Sequence, residues 1–167
     1  MANPLSMLGI IHTVISIAPV AIGLACLVRH GAIPPFTRAG KAYLATLALS
    51  SITSFGLSST GGFNAGHAIG ILTLLVSGFV LVAERLPIVG RASYYLRPLA
   101  MSFTFFLLLI PGINETLSRL PPSNPIGNGP DSPPVQTATA LLALIFLTGI
   151  CYQAWSLHRG RARPSVA

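Results

Sequence analysis

The chain has 167 residues, 52% of them apolar and 8% charged, with a formal net charge of +7. Soluble domains carry about 25% charged residues, so roughly a third of the charge needed for a water-facing surface is present. Composition therefore excludes a cytosolic enzyme, a disordered tail and a disulfide scaffold, and the mean hydropathy of +0.73 agrees. The few charges cannot build a basic nucleic-acid face over so apolar a bulk.

A helix needs about 20 predominantly apolar residues to cross roughly 30 Å of hydrocarbon. Arg29 is the first charged side chain, so residues 6–28 suit a first span. Ala42 to Ala83 carries no charge and has length for two spans, 41–59 and 66–84, with a turn at Ser59-Thr60-Gly61-Gly62-Phe63-Asn64-Ala65-Gly66. A fourth span is expected at 98–117, with Pro98 in its first turn, where proline is tolerated. The proline-rich stretch 120–134, closing on Pro133-Pro134, reads as a loop that excludes helix, and a fifth span follows at 135–157. The expectation is an all-α, single-domain integral membrane bundle of five transmembrane helices.

Five spans put the chain ends on opposite sides. Arg29, Arg38, Lys41, Arg85, Arg91, Arg97, Arg159, Arg161 and Arg163 then share one side, and Arg119 stands alone on the other. The positive-inside rule makes the crowded side cytoplasmic, with the N-terminus outside and the C-terminus inside. The expected setting is a multi-pass protein of a bacterial inner membrane, its basic side against anionic headgroups. Met1-Ala2-Asn3-Pro4 lacks the basic start of a cleavable signal peptide. Cys26 and Cys151 show neither CxxC nor metal-ligand spacing and read as apolar packing.

Small residues mark where membrane helices approach one another. The second span carries Thr46, Ser50, Ser51, Thr53, Ser54 and Ser58, the third a GxxxG at Gly66 and Gly70 with Ser77 and Gly78 beyond, and the first has His12, Ser16, Pro19 and Gly23 down one side. These faces are expected to pack together, and bonding of hydroxyls to carbonyls four residues back accounts for them without any ligand.

Ionisable groups within spans point to function. His12, His67 and Glu115, with Asn114 beside it, all fall in the outer leaflet, His12 roughly 9 Å inside its helix start at about 1.5 Å per residue. Two imidazoles at similar depth suit haem b or a divalent metal, with Glu115 as a further ligand or as the group that orients an imidazole. The plainer readings are a His12 bond to a hydroxyl of the second span and a Glu115–Arg119 ion pair at i, i+4. His30 and His158 sit beside Arg29 and Arg159 and read as interfacial.

Thr37-Arg38-Ala39-Gly40-Lys41-Ala42-Tyr43 resembles the basic G-x-x-Y lead into the second helix of the DUF2306 family of uncharacterised membrane proteins. Phe63 with Gly66-His67-Ala68-Ile69 is similar to that family's third-helix opening, and Asn114-Glu115 with Arg119-Leu120-Pro121 to its fourth-helix ending. His12 stands where the family often has a histidine. Family members usually carry another ahead of the G-x-x-Y, where this chain has Thr37. The resemblance spans about residues 10–121 and implies a helical membrane bundle with His12, His67 and Glu115 as its polar set, naming no reaction.

Two functions follow as expectations. One is a small integral membrane protein that binds haem or metal, with an electron-transfer or assembly role. The other is an accessory or structural subunit packed against a larger membrane complex or a second copy of itself. No nucleic-acid partner is expected. Five helices without inverted repeats argue against a transporter, and no catalytic motif is found. The outer loop 120–134 reads as a docking surface or as filler.

Overall fold

The computed structural model describes residues 7–57 and 62–160. Ser58 and the Ser59-Thr60-Gly61 part of the expected turn, Arg161 and Arg163, and Met1-Ala2-Asn3-Pro4 lie outside the described residues. Five helices run in order: α1 Met7–His30, α2 Arg38–Ser54, α3 Ala65–Val82, α4 Ser93–Arg119 and α5 Pro133–His158. Single 3₁₀ turns at Ala83–Arg85 and Gly90–Ala92 join α3 to α4. No strand occurs among the described residues. Four helical segments are long and apolar enough to cross a membrane: Met7–His30, Ala65–Arg85, Ser93–Arg119 and Pro133–His158. The remaining helix, α2, has 17 residues, which at about 1.5 Å each is roughly 25 Å.

Helix α2 ends at Ser54, with Phe55 as its C-cap, rather than at 59, and three further boundaries differ from the sequence-based expectation, each for a local reason. Helix α2 starts at Arg38 rather than 41 because Thr37 caps it. The Thr37 hydroxyl accepts the Gly40 N–H at 3.1 Å and donates to the Pro34 carbonyl at 2.9 Å, satisfying one of the free N–H groups of the first turn. Helix α4 starts at Ser93, so Pro98 lies inside it rather than in its first turn. Its missing N–H removes only the bond to the carbonyl four residues back, close to the helix start. Pro133 and Pro134 do not end the loop but open α5, since the first helical positions have N–H groups without intrahelical partners and lose nothing to proline.

The loop that remains, 120–132, folds back on the end of α4. Gly127 N–H donates to the Leu117 carbonyl at 2.9 Å, Gly129 N–H to Ser118 Oγ at 3.0 Å and Ile126 N–H to the Leu120 carbonyl at 3.2 Å.

The helices pack in sequence order, α1 on α2, α2 on α3, α3 on α4 and α4 on α5, with a lighter α1–α4 contact. Apolar packing concentrates at one end, where Cys26, Tyr43, Leu47, Val80, Met101 and Phe105 form a buried cluster with Ile33 of the α1–α2 loop. Tyr43 is fully buried and its hydroxyl bonds Thr104 Oγ1 at 3.0 Å. Gly23 admits the Phe105 ring, since a Cβ there would stand 2.5 Å from Phe105 Cδ2.

Polar bonds reinforce the same end. Arg97 pairs with Glu84, and its guanidinium lies 4.2 Å over the Phe36 ring, a cation–π contact. Gln153 of α5 donates to the Gly31 carbonyl at 2.8 Å and accepts from Ser102 Oγ at 3.0 Å. The outside of the bundle is apolar: Val28 is 77% exposed, Ile145 70% and Leu75 66%. Large apolar surfaces of this kind are rare on soluble monomers and are what hydrocarbon covers without cost.

Candidate functional site

The other end of the bundle is less filled. There α1, α2, α3 and α4, with Ala138 of α5, line an open cleft of about 580 Å³ that includes His12, Ser16, Ser50, Ser54, Thr73 and Glu115. Pro111 and Gly112 of α4 form part of its wall, and proline at that position leaves the carbonyl four residues earlier without its helical donor.

His12 lies on the wall of this cleft, and its tautomer follows from the neighbouring hydroxyls. Thr53 Oγ1 lies 3.0 Å from both the Leu49 and the Ser50 carbonyls, to which it donates. Its one hydrogen is thereby used, so at 2.9 Å it accepts from His12 Nδ1–H. Ser16 donates to the His12 carbonyl at 2.8 Å, so Ser50 supplies the hydrogen of the 2.6 Å Ser16–Ser50 bond. Ser16 Oγ also approaches His12 Nε2 at 3.3 Å, a longer contact than its 2.8 Å bond to the His12 carbonyl. These contacts favour the tautomer in which Nδ1–H donates to Thr53 and Nε2 is an acceptor with a longer contact to Ser16 Oγ. The bond to a hydroxyl of α2 matches the plainer sequence reading.

Glu115 lines the same cleft. It pairs with Arg119 one turn on, as the i, i+4 spacing suggests. Its neighbour Asn114 accepts from Ser118 Oγ at 3.5 Å.

His67 occupies a different setting. Asn64 caps α3, its side chain accepting the His67 N–H at 3.1 Å while His67 Nδ1 accepts the Asn64 N–H at 3.2 Å. The two form a reciprocal capping box. The ring lies between Phe55 and Phe63, with centroids 5.7 Å and 5.6 Å away, and is not among the groups lining the cleft. With Nδ1 accepting, the proton is on Nε2, which is buried without a partner. Metal ligation through Nε2 requires the proton on Nδ1, and that tautomer breaks the cap. The structure thus brings His12 and Glu115 together at one cleft and leaves His67 outside its lining. Among the described residues no three His, Cys, Asp or Glu side chains group as a metal site.

The capping role predicts a modest stability effect. Asn64→Ala is expected to cost about 1 kcal/mol, read as a thermal midpoint about 2–4 °C lower for the detergent-solubilised protein. An unchanged midpoint would count against the capping box.

Sequence reasoning missed three features here. Asn64-Ala65-Gly66-His67 carries the N-cap spacing, with histidine where glutamate or glutamine is usual. Thr37 has the same cap geometry at α2. The cleft has no sequence signal, because it depends on how far four helices stand apart. Compared with family models, curated proteins and solved structures, the chain finds no match.

Proposed function

We propose that the protein is a multi-pass membrane protein whose five helices all span the bilayer, N-terminus outside and C-terminus cytoplasmic, and that it binds a small molecule in its outer cleft. The uneven packing of the bundle carries this reading. An apolar cluster closes the end rich in arginine and lysine, and the opposite end holds a cleft with the His12 imidazole on its wall. Pockets of about 300–1,000 Å³ with a few convergent polar groups are the usual form of a small-molecule site. The distribution of basic residues supports the orientation, and a bacterial inner membrane is the matching location. The resemblance of its short motifs to those of DUF2306 supports a kinship with that family in the same reading.

The native cysteines supply a test. In a Cys151→Ala background, Cys26 lies in the closed cluster, where it is 4% exposed, and serves as an internal control. Ser54→Cys on the cleft wall is expected to react with a small membrane-impermeant thiol reagent added to intact cells, while Cys26 stays unmodified. Reaction of Ser54→Cys only after permeabilisation would reverse the orientation. No reaction from either side would remove the open cleft.

A haem or divalent metal on His12 and His67, in electron transfer or assembly, has less support, because the two imidazoles serve different structures. A Soret band or stoichiometric metal in the purified protein, lost in both His12→Ala and His67→Ala, would reinstate it. The accessory-subunit reading draws on α5, which exposes Leu141, Leu144, Ile145 and Leu147. Lipid covers such a face equally well, and a stable co-purifying partner would favour the subunit.

A further inference from the structure

The hydrogen-bond chemistry of the cleft walls narrows what it binds, an inference that rests on the ligand-binding reading above. The hydroxyl hydrogens around the cleft are turned away from it. Thr13 donates to the Gly9 carbonyl at 2.8 Å, Ser54 to Ser51 at 2.7 Å, Thr73 to Ile69 at 2.8 Å and Thr116 to Gly112 at 2.7 Å. Ser16 and Ser50 commit theirs to the His12 carbonyl and to Ser16 Oγ. Each oxygen keeps lone pairs after donating. His12 Nε2 adds another, its ring proton being held by Thr53 on the far nitrogen. The Glu115 carboxylate accepts only. Among the lining side chains, Ser51 alone keeps an uncommitted hydroxyl hydrogen. The cleft is a wall of acceptors whose one carboxylate, Glu115, is paired with Arg119.

Such a wall has few donors for an anion or a neutral acceptor, whereas an ammonium offers three donors and no acceptor. Size separates an organic cation from a metal ion. A cleft of about 580 Å³, walled also by Ile17, Val20, Leu108 and Ile113, is far larger than a bare ion. It also lacks a set of three His, Cys, Asp or Glu ligands among the described residues. The geometry points to an amphipathic organic amine as the ligand, its ammonium between His12 Nε2 and Glu115 and its compact apolar body against the α1 and α4 walls. Arg119 shares the carboxylate, but a carboxylate has about four lone-pair positions and takes a second donor.

Three probes with one apolar cage test this: adamantylamine, adamantane carboxylate and the neutral acceptor adamantanone. Each is titrated calorimetrically against the full chain in phosphatidylcholine nanodiscs, with empty nanodiscs subtracted. The amine is expected to bind at least about tenfold more tightly than the carboxylate or the ketone. Glu115→Gln is expected to weaken the amine about tenfold, the scale of one hydrogen bond to a charged group, and to leave the ketone unchanged. Equal binding of all three cages, or no effect of Glu115→Gln on the amine, overturns the cation inference and leaves the cleft as a binding site. Absence of binding by all three overturns both.

Discussion

Gly40→Ala is expected to destabilise the protein by about 3 kcal/mol, the upper end of ordinary overpacking costs. A Cβ at this position would stand 1.8 Å from the Pro34 carbonyl oxygen, 2.7 Å from its carbon and 2.9 Å from Pro35 Cα. All three are backbone atoms, so no side chain can swing aside. The segment is held by Thr37, which bonds both Gly40 N–H and the Pro34 carbonyl. Moving it withdraws fully buried Ile33 from the core and Phe36 from beneath Arg97. Helix propensity acts the other way, because alanine gains about 1 kcal/mol over glycine inside a helix. The steric term is larger and sets the sign. Gly149→Ala is the matched control, since nothing lies within 4 Å of its added Cβ, and propensity alone predicts a small gain there. Thermal unfolding in detergent should separate the two variants by about 8–16 °C, from a midpoint shift of about 2–4 °C per kcal/mol for a chain of this size. Equal midpoints would show that the α1–α2 loop yields freely.

Gln153→Leu is expected to cost about 2 kcal/mol, and Gln153→Glu more. The amide is 5% exposed, and it ties α5 to the carbonyl that ends α1 and to the Ser102 hydroxyl of α4. Leucine fills similar volume but leaves the Gly31 carbonyl without its donor, and an unsatisfied buried group costs about 1–3 kcal/mol. Ser102 recovers part of the loss by turning to a carbonyl of its own helix. Glutamate is worse because a carboxylate oxygen then faces the carbonyl oxygen where an N–H stood. The measurement is the thermal midpoint together with proteolytic release of α5 after mild heating. A Glu variant as stable as the parent would show that the Gly31 contact is replaceable.

These two positions show why the chain was only partly legible. The apolar stretches mark the helices because a 167-residue chain with 8% charge leaves little doubt where apolar surface runs unbroken. The Glu115–Arg119 pair was readable from spacing, since neighbours four residues apart on a helix meet regardless of the fold. The His12 bond to an α2 hydroxyl joins residues far apart in the chain and followed from expecting the small polar faces of α1 and α2 to pack together. Gly40 lay within a recognisable basic lead into α2, yet its need for a missing side chain arises from the Pro34–Thr37 turn folding over it. Gln153 carried no signal, being one amide in an apolar run whose partners lie just beyond α1 and on α4.

His67 shows the opposite error. Depth matching grouped it with His12 and Glu115, because the starts of alternate helices share a leaflet. Depth specifies height along the bundle normal and leaves rotation about each helix undetermined. The Asn64 cap and the Phe55 and Phe63 rings set that rotation and keep the imidazole out of the cleft lining.

Low charge and long apolar runs, opened above as a count that no soluble surface satisfies, determined by themselves that this is a helical chain with segments able to cross a membrane. They act through each residue's own transfer energy, which needs no knowledge of neighbours. The tertiary structure alone decided which end of the bundle is packed and which is hollow, which nitrogen of His12 faces the Thr53 hydroxyl, and which side chains line the cleft. Those properties arise from the spacing and rotation of four helices, which are settled between segments distant in the chain.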